Sequence, residues 1–338
     1  MPFSRRTPYL AESLLSESNE PLYDSAWKTS YAVFNMTFDT IGQRIFEQKR
    51  APGFAFLVSV GGSVVFAKGY GVANIPADEP ATPETAFAIG SLTKQFTAAA
   101  VLLLQEESKL SLEDRLESYI PGLPNGSYIT LRMLLNQTSG LHNFPNTREH
   151  NWPRQGIIRP DQLIDLLRTD KPDFAPGERW AYSNTNYAML AKVISQVSGV
   201  SYGKFLTTRI FGPLGMDQTS DGFLAQEGIA TPYEWTGTSF AAAEPPLSLD
   251  LFYGAGSLVS TVQDISRWNM ALLSHQLLNA ELLRNLWTGG RLAGGQPVGY
   301  AMGFVLSMIG SHRQVWHNGY TPRAGGYCFN AIFPDDRL

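Results

Sequence analysis

Ser91 and Lys94 lie in Ser91-Leu92-Thr93-Lys94, so on a helix they share a face and the amino group stands one turn from the hydroxyl. A serine is a poor nucleophile until a base takes its proton. A lysine serves as that base only where burial or a neighbouring cation lowers its pKa. The spacing itself is common, recurring at Ser25/Lys28 and Ser201/Lys204, and a serine ahead of a helix is equally an N-cap. Context separates the three. Only Ser91 follows a β region and a glycine and opens a long, apolar, Ala-rich helix.

Two further groups carry chemistry. Tyr182-Ser183-Asn184 is the one Tyr-x-Asn among 14 tyrosines. A phenol near a lysine can be held as phenolate and shuttle a proton, and an adjacent amide can hydrogen-bond a substrate carbonyl. The alternative is a helix start with Ser183 or Asn184 as cap. His317-Asn318-Gly319 is the one His-x-Gly among 5 histidines. A strand there can present a backbone N–H to an oxyanion, and its glycine lets a substrate approach closely. The alternative is an ordinary strand end. His142 and His150 fit no metal-ligand spacing and read as loop residues.

The elements that must position these residues follow from pattern. Met1 to Lys28 is rich in Ser, Glu and Pro and reads as an arm. An apolar face at Val33, Phe34, Phe38, Ile41, Ile45 and Phe46 predicts a helix over Tyr31 to Lys49, stopped by Pro52-Gly53. Phe54 to Val60 and Ser63 to Tyr70, joined by Gly61-Gly62, predict a β-hairpin. Helices are expected over Ser91 to Glu107, over Thr130 to Gln137 with Gly140 beyond its end, and through most of Pro160 to Leu214. Strands return at Gly303 to Ile309, Gln314 to His317 and Tyr327 to Phe333. The fold class is therefore α+β: an antiparallel sheet built from N- and C-terminal segments, flanked by helices, with a mostly helical inserted region. One catalytic domain is expected over 29–338, its sheet part at about 29–88 and 251–338 and its helical part at about 89–250.

The bulk numbers argue against a nucleic-acid-binding or membrane-spanning protein. The 338 residues, 43% hydrophobic, suffice for a large core, and a net charge of −4 without a basic run gives no footprint for nucleic acid. The longest purely aliphatic run, Ala98 to Leu104, is far short of the roughly 20 residues of a membrane span. With Cys328 the single cysteine, neither an intrachain disulfide nor a Cys-based zinc site is possible. Met1 to Glu20 holds no apolar signal region, from which cytoplasmic residence is expected.

Taken together, Ser-x-x-Lys, Tyr-x-Asn and His-x-Gly in this order resemble the class C β-lactamase and penicillin-binding-protein superfamily. Ala88-Ile89-Gly90 is similar to the family's approach to the nucleophile. So are Ile129 to Leu141, Pro176-Gly177-Glu178, Gly212 to Met216 and Gly254 to Thr261. The resemblance implies that Ser91 is acylated by an ester or amide, with Lys94 and Tyr182 sharing the proton work. It implies that Asn184 positions the acyl group and that the N–H groups of Ser91 and Tyr320 form the oxyanion hole beside His317 and Gly319. It implies no metal and no organic cofactor, and a small-molecule ester or amide as partner, with no bearing on oligomeric state.

Three departures from the family pattern shape the expectation. His317 stands where β-lactamases of this group usually carry lysine, so the cation that would bind a penicillin carboxylate is missing; Arg323 offers a substitute or is a solvated turn residue. Tyr320 stands where a small residue is frequent, which suggests a narrowed cleft. The sequence also stops at Phe333-Pro334-Asp335-Asp336-Arg337-Leu338, where the family continues into a strand and a helix. The expected activity is a carboxylesterase on small or medium acyl esters, with Trp152, Trp180, Tyr233, Trp235, Phe252 and Tyr253 suiting an apolar group. The alternatives are a D-amino-acid peptidase or amidase, a weak β-lactamase, or an idle relative kept as a binding or scaffold protein.

Overall fold

The computed structural model describes residues 36–48, 50–144, 160–222, 229–243, 252–321 and 326–338. The N-terminal arm, the start of the first predicted helix, Ser25/Lys28, His150, Trp152 and Arg323 lie outside these residues. Among the described residues no helix is long and apolar enough to cross a membrane.

Antiparallel strands come from both ends of the chain, as the alternating patterns predict. Gly53–Val60 pairs with Ser63–Asn74 across Gly61 and Gly62, whose φ values of +60° and +92° are those the tight turn requires. At the other end His312–Thr321 is the central strand, flanked by Gly326–Ile332 and Val305–Ile309. Each of these ladders has three strands, the first completed by Glu79–Pro80. A short third ladder, Phe87–Ala88 on Leu258–Ser260 on Ser220–Asp221, ties the middle of the chain to the region just before Ser91.

Helix Thr93–Glu106 lies at the centre of the core. Phe96 and every residue from Ala98 to Leu102 are 0% exposed, so the helix is buried all round and has no solvent face there. Helix Asn184–Ser198 packs against it, and the Phe96 ring lies 4.3 Å from that of Trp268 of helix Val262–Leu273. Each fully buried Leu or Phe contributes about 1.5–3 kcal/mol, which makes this helix a rigid mount for anything on its first turn.

Helix Leu131–Leu135 is shorter than the predicted Thr130 to Gln137. Thr130 caps it, accepting from Met133 N at 3.2 Å, but the chain turns off at Gln137, which has φ +64°, and not at Gly140. The strand around His317 is longer than expected, because Asn318 and Gly319 pair with Phe329 and Cys328 and do not form a turn.

Candidate active site

Ser91 sits in a 3₁₀ turn, Gly90–Leu92, at the start of the central helix. It does not act as a cap: the N-cap position falls on Leu92 and carries no side-chain bond. Ser201, by contrast, accepts from Lys204 N and caps Tyr202–Leu206, while Lys204 is exposed, so that second Ser-x-x-Lys is a helix start. Gly90 has φ +49°, and a Cβ on it would stand 3.1 Å from Tyr320 N. A Cβ on Gly319 would meet Ile89 O at 2.1 Å and Cys328 Sγ at 2.5 Å. The two glycines thus let the backbone of Gly319-Tyr320 lie directly against the turn that carries Ser91.

Lys94 is 0% exposed, and its Nζ reaches three oxygens: Ser91 Oγ at 3.1 Å, Asn184 Oδ1 at 2.8 Å and Ala255 O at 2.6 Å. The rings of Tyr182 and Tyr187 lie 4.8 and 5.6 Å from the same nitrogen. Burial alone holds this amino group well below the ordinary lysine value.

Tyr182 donates to Ser91 Oγ at 2.7 Å. Ser183 occupies the N-cap position of helix Asn184–Ser198 but makes no cap bond, which removes the capping alternative. The loop is held instead by Gln137 and Asn143. Gln137 Oε1 accepts from Ser183 N at 3.0 Å and Asn186 Nδ2 at 2.6 Å, and Asn143 Oδ1 accepts from Asn184 N at 2.9 Å. Burial raises the Tyr182 phenol above its ordinary range, and the hydrogen bond with Ser91 offsets only part of this. Burial thus disfavours the charged form of both groups, the ammonium of Lys94 and the phenolate of Tyr182. The phenolate that a neighbouring lysine might have stabilised is not favoured, because Lys94 meets the ring and not the hydroxyl.

His317 points inward from its strand and is 3% exposed. Its Nδ1 lies 2.6 Å from Asn318 O, a carbonyl that only accepts, so Nδ1 carries the proton. Its Nε2 then accepts from Tyr300 OH at 3.1 Å. Burial first, and then the Lys94 amino group, push the imidazole down to about 4, while the contact with Asn318 acts the other way. Tyr320 projects from the opposite face of the strand, across from Tyr327, and is 65% exposed. Its side chain therefore does not narrow the cleft; only its backbone N–H faces the Ser91 turn.

The structure thus brings Ser91, Lys94, Tyr182 and Asn184 into one hydrogen-bonded cluster, with His317, Gly319 and the Tyr320 backbone alongside. Sequence reasoning gave no role to Ala255 O, Gln137, Asn143 or Tyr300. Ala255 lay inside a matching segment, but a backbone acceptor leaves no signature of residue type. Tyr300 is 2% exposed and its ring packs against Tyr182, His317 and Trp180 at 6.2, 5.7 and 6.1 Å. Of the aromatic loop residues, Trp180 joins this stack and is 44% exposed, whereas Phe252 and Tyr253 pack on the core. Trp235 meets Phe240 edge to face in a separate hairpin, whose Tyr233 hydroxyl accepts from Ile75 N. His142 lies 2.7 Å from Asp173, a loop contact.

Known proteins resemble the chain in sequence and in fold. The chain is similar to a penicillin-binding protein of Bacillus subtilis (strain 168), 29% identical over 306 residues covering 84% of this chain and 65% of that protein. It is similar to the D-aminopeptidase of Brucella canis, 30% identical over 288 residues covering 84% of this chain and 54% of that protein. The chain spans about half to two thirds of the length of these curated relatives. The octameric penicillin-binding protein homologue from Pyrococcus abyssi superposes with a TM-score of 0.75 at 28% identity, over 88% of this chain and 70% of that one. D-amino acid amidase from Ochrobactrum anthropi SV3 shares the fold, with a TM-score of 0.73 at 24% identity over 85% of this chain and 87% of that one. The family model described as Beta-lactamase matches residues 38–338, nearly everything described above, and so the chain belongs to the β-lactamase and penicillin-binding-protein family of serine hydrolases.

Proposed function

We propose that the protein is a carboxylesterase acting on small or medium acyl esters through an acyl-enzyme on Ser91. The observation that carries this reading is the environment of Lys94. A neutral amine has two N–H groups and one lone pair. Lys94 Nζ donates to all three oxygens, and once it gives up a proton Asn184 Oδ1 and Ala255 O still hold its two N–H groups, which turns the lone pair to Ser91 Oγ. That is the arrangement of a general base on a nucleophile.

In acylation the Ser91 oxygen bonds to the ester carbonyl carbon while its proton passes to Lys94. The carbonyl oxygen becomes an oxyanion facing the N–H groups of Ser91 and Tyr320. Collapse breaks the bond to the alcohol, which leaves with a proton from the Lys94–Tyr182 pair. Tyr182 suits this because burial keeps its proton on. Water then attacks the acyl-enzyme with the same groups in reverse. The Asn184 amide nitrogen, 3.3 Å from Asn143 Oδ1, still has one N–H with which to hold the acyl carbonyl.

The choice of an uncharged substrate rests on His317. Both ring nitrogens are bonded within the protein and burial keeps the ring neutral, so it supplies no cation for a substrate carboxylate. A second reading, a D-amino-acid peptidase or amidase, is favoured by the similarity to a D-aminopeptidase over 84% of the chain. The test is hydrolysis of p-nitrophenyl butyrate by the protein and by Ser91→Ala, beside a D-alanyl anilide and a chromogenic cephalosporin. Ester turnover that vanishes in the variant, with the other two slower, supports the esterase. Faster turnover of the D-alanyl anilide would overturn the ester preference and favour the amidase.

A further inference from the structure

We propose that Thr97 is a positioning residue for Lys94, acting through the turn Gly254–Ser257. The inference rests on the reading of Ser91 as nucleophile and Lys94 as its base. Thr97 lies one turn beyond Lys94 on the same buried helix and is 0% exposed. Its hydroxyl donates to Gly254 O at 2.7 Å, in preference to Thr93 O at 3.3 Å. Gly254 is followed by Ala255, the residue whose carbonyl takes one of the two N–H bonds that orient the amine. With the Thr97 proton so used, Tyr202 OH donates to Thr97 Oγ1 at 2.7 Å. The result is a chain from phenol to hydroxyl to carbonyl in which each bond polarises the next.

The turn is held at other points too, which is why its position defines that of Ala255 O. Leu258 N donates to Thr93 Oγ1 at 3.1 Å, so Thr93 and Thr97 grip the turn on either side of Lys94. Ser257 donates to Asp221 Oδ1 at 2.5 Å. Gly254 has φ +68°, and a Cβ there would stand 2.3 Å from Ala191 Cβ and 2.8 Å from Tyr187 O, so the turn lies flush on helix Asn184–Ser198. Loss of the Thr97 bond leaves the Gly254 carbonyl without its donor in a turn still anchored at Ser257 and Leu258, and the adjoining Ala255 carbonyl tilts from Lys94. The titratable groups facing Lys94 are Tyr182 and Tyr187 from the helix side and His317 from the strand side. Burial keeps all three uncharged, so a carbonyl acceptor matters more to this amine than it would beside a carboxylate.

The experiment compares Thr97→Val, which keeps the shape and removes the hydroxyl, with Thr97→Ser, which keeps the hydroxyl. The readout is the rate of Ser91 acylation by a p-nitrophenyl ester and of its phosphonylation by a p-nitrophenyl phosphonate, both across pH. Thr97→Val is expected to slow both about tenfold or more at little change in KM, since small misplacements of a catalytic group are costly. Its acid limb should move to lower pH, because the lost carbonyl favoured the protonated amine. Thr97→Ser should restore both within about twofold, on the same reasoning. Rates and limb unchanged in Thr97→Val, or equal impairment in Thr97→Ser, overturn the inference. Should Thr97→Val not fold, Tyr202→Phe removes the donor to Thr97 instead. A slower rate with the limb moved down supports the inference, and an unmoved limb overturns it. A wild type inert to the phosphonate overturns the reading of Ser91 itself, and this inference with it. A reactive wild type matched by its Thr97→Val variant overturns this inference alone.

Discussion

Lys94 and Tyr182 meet at a single atom, Ser91 Oγ, the first reaching it at 3.1 Å and the second at 2.7 Å. One arrives from the buried central helix and the other from the loop ahead of helix Asn184–Ser198. Their functions on the proton are therefore shared, and their removal should not be additive. Tyr182→Phe is expected to lower kcat/KM for an aryl ester by about 10²–10⁴, as loss of a proton-transfer partner does. Lys94→Met should cost at least as much, and the double variant little more than Lys94→Met alone. A double variant with the product of both losses would show two independent groups.

Lys94 also sets the pH dependence. Burial depresses its pKa, so the amine is free base, and active, at pH values where an ordinary lysine is still protonated. The kcat/KM profile is expected to rise with pH through the lowered Lys94 value and to plateau well before an exposed lysine would titrate. A limb at the ordinary lysine position would contradict this.

His317 predicts a stability effect of the opposite kind from a salt-bridged histidine. Its folded pKa of about 4 lies below the reference value of 6.5, so on acidification the unfolded chain takes up the proton first. Stability is thus unaffected above pH 6.5 and falls as pH drops from 6.5 towards 4. The full difference is about 3 kcal/mol. Urea unfolding of wild type and His317→Gln at several pH values should show that the variant lacks this part of the acid loss.

Gly319 should tolerate no side chain. An added Cβ would stand 2.1 Å from Ile89 O and 2.5 Å from Cys328 Sγ, so the strand must move off the Ser91 turn. Gly319→Ala is expected to lose about 1–3 kcal/mol of stability. It should also lose about 10²–10³ in kcat, as removal of an oxyanion donor does. Chemical denaturation and ester turnover measure the two, and a stable, active variant would exclude this packing.

Trp180 bears on specificity and not on rate. It is the exposed end of the stack that runs through Tyr300 to Tyr182. Trp180→Ala is expected to raise KM for phenyl esters about tenfold, a loss of roughly one aromatic contact, while leaving methyl esters little changed. Equal effects on both ester series would mean that the ring does not meet the substrate.

The parts of the site legible in the sequence were those marked by residue type. Ser91 stood out because a glycine precedes it and a long, Ala- and Leu-rich helix follows, and Gly61-Gly62 named its hairpin because few residues accept positive φ. What escaped notice depended on contacts remote in sequence. Gln137 ends its helix in a left-handed conformation that glutamine seldom adopts, and what compensates is its bonding to Ser183 and Asn186, more than forty residues further on. Asn318-Gly319 has the composition of a turn, yet Phe329 and Cys328 across the ladder keep it extended. Tyr320 was visible in the sequence, but the direction of its side chain followed only from the strand register.

Burial disfavours the charged forms of Lys94, Tyr182, Tyr300 and His317 alike, so the nucleophile is surrounded mainly by dipoles. Such a cluster exerts little long-range pull on an approaching molecule, and dissolved salt has little there to screen. Charge arises around Ser91 mainly as bonds begin to change. By then the substrate has displaced solvent, and the fixed amides of the turn and the strand meet the new charge in a medium of low polarisability. Electrostatic work in this cleft is thereby confined to the moment of reaction and contributes little to the approach.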